Sequence, residues 1–403
     1  MTFFEPFLAV QEHACPGSSD RSLAQRFEML RYEFIADASS LLNDPQRWNP
    51  LSGGVPFRMT QWLGPWWNTF GDDHRSALVC VTDGDGSLRG ILPLYRVGGG
   101  RTLAMMGDGD ACSDYMSLLA RDQDRREIAM GMGRFLVDMA DDPHDGWDTL
   151  DIDGAVEGDD AFRHFAQSLQ THGCRTHVES RMSVWRCVRG EDWAAHLKRH
   201  GKTQRRRMRR FLESFDKYSE AEFSVADTVD QAQRDVADII ELHQRRWQDA
   251  GEPGSYADPM FREFIQAMVA EFTRSGRSWI TTMRWNGRVI AGELNLLGDD
   301  QVMYSYSTGY DVEHSDIEPG RIMCIAGLHH MYESDIIAVD FMRGDEFYKQ
   351  RFCNESRRLY RLRCFAPAWR NRIRATAVRA GFGVKQWVRK RTGRDMAHVP
   401  TWS

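Results

Sequence analysis

Residues 278–311 read SWITTMRWNGRVIAGELNLLGDDQVMYSYSTGYD. Ser278 to Trp285 is rich in Ile, Thr and Trp, the composition of a strand. Asn286-Gly287 follows, a pair that supplies the two positive φ values of a type I′ hairpin turn. Arg288 to Leu297 returns as a second strand. Its side chains alternate, with Val289, Ala291, Glu293, Asn295 and Leu297 on one face and Ile290, Gly292, Leu294 and Leu296 on the other. Asp299-Asp300 turns the chain again, and Val302 to Tyr310 alternates as a third strand. After a polar loop, Pro319-Gly320 opens a helical run with Ile322, Ile325, Ala326, Leu328, His329 and Tyr332. Ile336 to Met342 reads as a final strand and ends in Arg343-Gly344-Asp345-Glu346-Phe347-Tyr348-Lys349. Three meandering strands, a Pro-Gly helix start and a strand ending in charge form a layout for holding a phosphorylated ligand beside acid and base groups.

The hairpin has a counterpart upstream. Val81 to Leu94 parallels Met283 to Leu296, matching Gly90 with Gly292, Leu92 with Leu294 and Leu94 with Leu296. Two copies of one αβ unit follow from this match. In the first copy, Ser22 to Leu42 has helical spacing, and a helix is expected to begin after Pro65 in the Trp-rich run from Phe57 to Phe70. Ser76 to Thr82, Leu88 to Arg96, Thr102 to Met106 and Thr149 to Ile152 read as strands, and Arg125 to Ala140 as a helix. Glu191 to Tyr218 reads as one helix with a basic centre of Lys198, Arg199, Lys202, Arg205, Arg206, Arg207, Arg209 and Arg210. Asp230 to Gln248 and Pro259 to Thr273 are amphipathic helices joined by the flexible Gly251 to Gly254. The fold class is α/β (α+β), with mixed, mostly antiparallel sheets flanked by helices. The divisions are an N-terminal domain at 1–190, a C-terminal domain with the site at 191–368, and a basic tail at 369–403.

Composition bounds the function. The chain has 403 residues, 42% hydrophobic and 27% charged, so it is globular and long enough for two domains. A net charge of −6 argues against a protein that binds nucleic acid along its whole surface. The eight cysteines form no C-x-x-C pair and read as buried, reduced thiols of a cytoplasmic protein. Met1 to Pro16 carries Glu5, Glu12 and His13 and no basic start, so it does not read as a signal peptide, and no apolar run is long enough to span a bilayer. Gly201-Lys202-Thr203 lacks the earlier Gly of a phosphate loop, and Gly131-Met132-Gly133 lacks the third Gly of a dinucleotide fingerprint. Asp83 to Gly86 lacks the last ligand of a calcium loop. His196 and His200 have no metalloprotease Glu between them.

On the order of elements, on Tyr304-x-Tyr306-x-x-Gly309-Tyr310-Asp311, on Pro319-Gly320 and on Val339-Asp340-Phe341-x-x-Gly344-x-x-x-Tyr348-Lys349, residues 55–365 resemble the CelD-like acetyltransferases of the GNAT (acyl-CoA N-acyltransferase) superfamily. That family is named for an association with bacterial cellulose synthesis. The stretch is also similar to the Fem-type aminoacyl transferases of the peptidoglycan bridge. The resemblance implies two tandem GNAT-like domains and acetyl-CoA or another acyl-CoA as co-substrate, with no metal. It also implies N- or O-acyl transfer to a sugar, polysaccharide or cell-envelope precursor. In relatives the Gly-x-x-x-Tyr-Lys segment lines the cleft, which puts Lys349 at acceptor or donor phosphate.

Acyl transfer needs a held donor, an acceptor that loses its proton and a polarised thioester. The helix opening at Pro319-Gly320 offers free N–H groups and a positive dipole end for a pyrophosphate, and Arg321 adds charge. Gly309 joins this cofactor-binding set. Relatives carry a small hydroxyl residue before the Pro-Gly; here it is Glu318, which repels phosphate unless Arg321 neutralises it. Glu293, a carboxylate in mid-strand, is the candidate base. Asp345 and Lys349, four apart just past the last strand, are read as an ion pair that orients the loop, and Tyr306 as an acid for the leaving thiolate. Trp247, Tyr310, Arg343 and Tyr348 are the substrate-binding candidates. Two other readings stay open: an aminoacyl-tRNA-dependent transferase gripping tRNA by the basic helix, and a non-catalytic envelope-assembly protein. The basic tail also suits an anionic membrane surface.

Overall fold

The computed structural model describes residues 30–344 and 346–367. The helical reading of residues 22–29, the tail at 369–403 and Asp345 lie outside these residues. The described chain divides into two units, one of residues 30–53, 57–181 and 358–367, the other of residues 54–56 and 182–357.

The first unit contains β1 (Arg31–Ile35), α1 (Thr60–Phe70), β2 (Arg75–Ser76), β3 (Leu78–Thr82), β4 (Leu88–Leu92), β5 (Leu94–Arg96), β6 (Thr102–Met105), β7 (Leu119–Ala120), α2 (Arg125–Asp138), β8 (Thr149–Val156) and α3 (Asp160–Thr171). Strands β1, β3, β4 and β7 lie in that order with antiparallel pairing. Strand β6 runs antiparallel to β5 and parallel to β8, with α2 falling between β6 and β8 in the chain. Two expectations fail here. Residues 31–35 are a strand, not helix, because pairing with β3 and ring contacts of Tyr32 and Phe34 with Phe135 of α2 override the local spacing. Helix α1 begins at Thr60, before Pro65. Proline removes one helical N–H, but burial of Trp62, Leu63 and Trp66 holds the turn together.

In the second unit, β9 (Arg175–Val188) enters from the first. There follow α4 (Trp193–Lys198), α5 (Lys202–Lys217), β10 (Ala221–Val225), α6 (Val229–Asp249), α7 (Pro259–Arg274), β11 (Ser278–Trp285), β12 (Arg288–Leu297), β13 (Val302–Tyr310), α8 (Pro319–Glu333), β14 (Ala338–Arg343) and α9 (Phe347–Phe352); β15 (Glu355–Phe365) starts in this unit and returns to the first. The basic segment is two helices, α4 and α5, and not the single one expected. Helix α6 is capped by the Thr228 side chain, and α7 by Asp258 with Pro259 in its first turn. Asn286 and Gly287 have φ of 50° and 81°, as a two-residue hairpin turn requires. The strands run in the order β10, β11, β12, β13, β14, β9. Only β13 and β14 are parallel, and α8 joins them.

The same plan appears in both units: an antiparallel meander, then a parallel pair reached through a helix. The two units therefore repeat one layout, a mixed, mostly antiparallel set of strands flanked by helices. The expected residue match is one step out of register. Val81 faces Gly90, whereas Met283 faces Ala291. The two glycines accordingly serve different helices, Gly90 beneath Ile128 of α2 and Gly292 beneath Ile239 of α6.

The units differ at one place. In β13, Ser305 pairs with Asn295 and Ser307 with Leu294, so Tyr306 is an extra, bulged residue. In the first unit, residues 106–118 stand at that position between β6 and β7. That loop bends through positive φ at Gly107, Gly109, Cys112 and Tyr115, and it buries Tyr115, Met116 and Leu118.

Close packing of α6 on β13 gives a stability prediction. A Cβ at Gly309 would lie 2.4 Å from the Ile239 carbonyl oxygen and 3.2 Å from the His243 nitrogen, both helix backbone. Gly309→Ala is expected to cost about 1–3 kcal/mol. Urea denaturation would show this as a lower midpoint at unchanged slope.

Candidate functional site

Pairing between β13 and β14 covers only Val302↔Ala338, Met303↔Val339 and Tyr304↔Asp340, although both strands continue. Beyond Tyr304 the two strands leave an unpaired gap. Its base is fixed by buried polar groups. Asp340 accepts from Arg186 Nε at 3.1 Å and from the Met342 N–H at 2.8 Å, and Tyr304 Oη donates to Asp300 Oδ2 at 2.6 Å. Met342, on the β14 side, has a φ of 60°, a strained conformation for a non-glycine residue.

The N-terminus of α8 follows β13 by a short loop. Pro319 has no N–H, and the Arg321 and Ile322 amides both return to the Glu318 carbonyl. This leaves the Gly320 N–H without a partner inside the helix. A Cβ at Gly320 would lie 3.0 Å from the Tyr310 ring, so glycine keeps this turn close to β13. Glu318 itself has a φ of 58° and does not cap the helix. Its carboxylate instead meets three guanidinium groups. Arg321 and Arg207 bond to Oε1, Arg207 Nε donates to Oε2 at 3.2 Å, and Arg210 Nη2 lies 3.5 Å from Oε2. Burial pushes the Glu318 carboxyl up, but the Arg207 bond and the three positive charges outweigh it and hold the group below its usual range. Three cations against one carboxylate leave an excess of positive charge at the positive end of a helix. Arg207 and Arg210, spaced for one face of α5, were not among the expected site residues. The basic run was visible, but its partner lies over a hundred residues away.

Glu293 lies in the middle of β12 and is buried, neither exposed nor at an edge. Its side chain faces α8: Oε2 would lie 3.6 Å from a Cβ at Gly327, and it accepts from Asn295 Nδ2 at 3.4 Å. Burial raises its carboxyl to about 7, against a smaller lowering from the Asn295 bond. Two further buried polar atoms in this neighbourhood, Asn295 Oδ1 and Thr281 Oγ1, have no hydrogen-bond partner. Thr281 pairs with Glu293 across the sheet. Cys324 of α8 is close enough for the Glu293 charge to help raise its thiol, after burial. A carboxyl that titrates near neutrality, with unfilled donors and acceptors beside it, can exchange protons at physiological pH.

The other expected residues fall in separate places. Trp247 and Tyr310 come together across α6 and β13, with the Arg246 guanidinium over both rings. Tyr306 is the bulged residue at the gap. Gly309 faces the backbone of α6, which fills that side. Lys349 is buried, donates to the Arg343 carbonyl at 2.7 Å and pairs with Glu346 Oε2 at 2.9 Å. It therefore links the Arg343 carbonyl to the Glu346 carboxylate. Arg343 ends β14, opposite Val184. Tyr348 falls within α9, and its side chain is not among those described. Among the described residues, no group of three or more His, Cys, Asp or Glu side chains is placed to hold a metal ion, and no helix is long and apolar enough to cross a membrane.

Comparison with known proteins bears on the fold of this stretch. Residues 202–350 match the family model described as an acetyltransferase (GNAT) domain. The matched stretch contains α5, the Glu318 cluster, Glu293 and the gap. No curated protein matches the sequence. Among solved structures, the chain is similar in fold to FemX, with a TM-score of 0.54 at 10% identity over 81% of this chain and 96% of that one. It is also similar to a conserved protein of unknown function from Bacteroides thetaiotaomicron, with a TM-score of 0.50 at 13% identity over 84% of this chain and all of that one. At such identities the likeness speaks for the fold.

Proposed function

We propose that the chain is an acyl-CoA-dependent acyltransferase acting on an amine or hydroxyl of a sugar, polysaccharide or cell-envelope precursor in the cytoplasm. The observation that carries this reading is the positive N-terminus of α8, with Arg207, Arg210 and Arg321 around Glu318, beside the unpaired gap between β13 and β14. The residues suit a coenzyme A pyrophosphate: a free Gly320 N–H, a helix dipole and excess cationic charge. Glu293 takes the proton that the attacking amine or hydroxyl gives up, and Tyr306 returns one to the departing sulfur. Arg343 and Lys349 shape the far wall next to the strained Met342.

One observation favours a second reading. Lys202, Arg206 and Arg209 of α5 stay exposed, on the pattern of a strip that grips tRNA in an aminoacyl-tRNA-dependent transferase. Calorimetric titration separates the two. Saturable heat with acetyl-CoA or a longer acyl-CoA, with thiol release in the presence of an envelope precursor, is expected under the first. Retention of tRNA on a filter with no acyl-CoA heat would favour the second. Binding of neither would point to a non-catalytic assembly protein.

A further inference from the structure

Arg245 and Arg246 are neighbours on α6, and their guanidinium groups have different surroundings. Arg245 Nη2 lies 3.7 Å from Asp311 Oδ1 and 3.6 Å from Glu313 Oε1. Arg246 forms no ion pair among the described residues. Its Cζ lies 5.8 Å from the Trp247 ring centroid and 5.0 Å from the Tyr310 ring centroid. Arg246 also hydrogen-bonds the Tyr310 hydroxyl. A guanidinium against aromatic faces stacks well and keeps its remaining edge N–H groups for a planar or tetrahedral anion.

His243, one turn before Trp247, adds a neutral donor. Trp247 Nε1 donates to His243 Nε2 at 3.0 Å, which makes Nε2 the acceptor. Burial, and then the Arg246 charge, lowers the imidazole to about 4, so the ring is neutral and its proton sits on Nδ1. That Nδ1 is buried, with the Gln244 side chain within reach of the ring. This wall of α6 therefore presents one positive charge without an ion pair among the described residues, one buried N–H and two aromatic faces. Tyr310 joins it to the α8 terminus through its contact with Gly320.

We infer that this wall is the acceptor subsite and that it selects an acceptor bearing an anionic group, a carboxylate or phosphate, next to the amine or hydroxyl that is acylated. The inference rests on the donor reading above. Arg246 holds the anion at its guanidinium edge, and the Trp247 and Tyr310 rings carry the uncharged part of the acceptor.

Inorganic phosphate is the probe, titrated by calorimetry into the full chain with and without saturating coenzyme A. With coenzyme A bound, a phosphate site is expected to remain. It should weaken at least about tenfold in Arg246→Gln, the worth of one charge-assisted bond. Arg246→Lys, which keeps the charge and loses the fork, should fall between. Coenzyme A affinity should be unchanged in both variants. Absence of a phosphate site in the coenzyme-loaded chain overturns the inference, as does equal phosphate binding by wild type and Arg246→Gln. A matching loss of coenzyme A affinity in Arg246→Gln would also overturn it, by assigning the residue to the donor. If coenzyme A does not bind at all, the donor reading fails, and the effect of Arg246→Gln on phosphate binding to the free chain still judges the subsite.

Discussion

Glu293→Gln is expected to slow acyl transfer by about 10²–10³-fold, the range lost when a positioned general base is removed. Gln keeps the shape and the contact with Asn295, so the loss belongs to the proton and not to packing. In the wild type the rate should rise with pH through about 7, where burial places this carboxyl, and the variant should lack that limb. Stability gives an independent readout. The folded carboxyl titrates above its unfolded value of 4.5, so folding favours the protonated form. The stability that this form contributes is complete below about 4.5 and is lost as pH rises to about 7. The loss is about 3 kcal/mol, since the buried anion has no cation beside it. Above pH 8 the Gln variant should therefore melt higher than the wild type, and the difference should close by pH 4. Unchanged turnover in a folded Glu293→Gln protein would remove Glu293 as the base, whatever the melting curves show.

The second large effect belongs to the arginine cluster. Arg207→Gln with Arg321→Gln leaves Glu318 facing the donor phosphates with Arg210 as its remaining partner. Two charge-assisted contacts at about 1.5–3 kcal/mol each make a loss of more than about a hundredfold in coenzyme A affinity. Adding Glu318→Gln to this double variant should recover about tenfold, because it removes the repulsive charge. Calorimetry at two salt concentrations measures both, and the double variant should bind with less sensitivity to salt. A double variant that binds coenzyme A as tightly as the wild type would take the pyrophosphate away from this helix.

The features legible in the sequence were those fixed by local chemistry. Asn286-Gly287 dictates its own turn, and Pro319-Gly320 its own helix start. A carboxylate amid the alternation of β12 marked Glu293, because such a residue is costly unless its setting has been arranged for it. What was illegible depended on partners far along the chain. Leu30, Phe34 and Ile35 have helical spacing, yet β3 recruits residues 31–35 as a strand. Pro65 looked like a helix start until two buried tryptophans held the preceding turn. Arg207 and Glu318 meet only in the folded unit. Lys349 pairs with Glu346 within the described residues, while its expected partner, Asp345, lies outside them. His243 carries no signal of its own within an amphipathic helix, and only its bond from Trp247 reveals which nitrogen carries the proton.

The two halves of this chain make different uses of one architectural position. The first unit fills it with its own loop at 106–118, anchored by the bond from Trp62 Nε1 to Ser113 Oγ. The second spends a single residue, Tyr306, and leaves room. Sequence drift should accordingly be tolerated by different criteria in each. A substitution in the early loop is felt as a flaw in an interior, whereas a change of length at Tyr306 would alter the width of an opening.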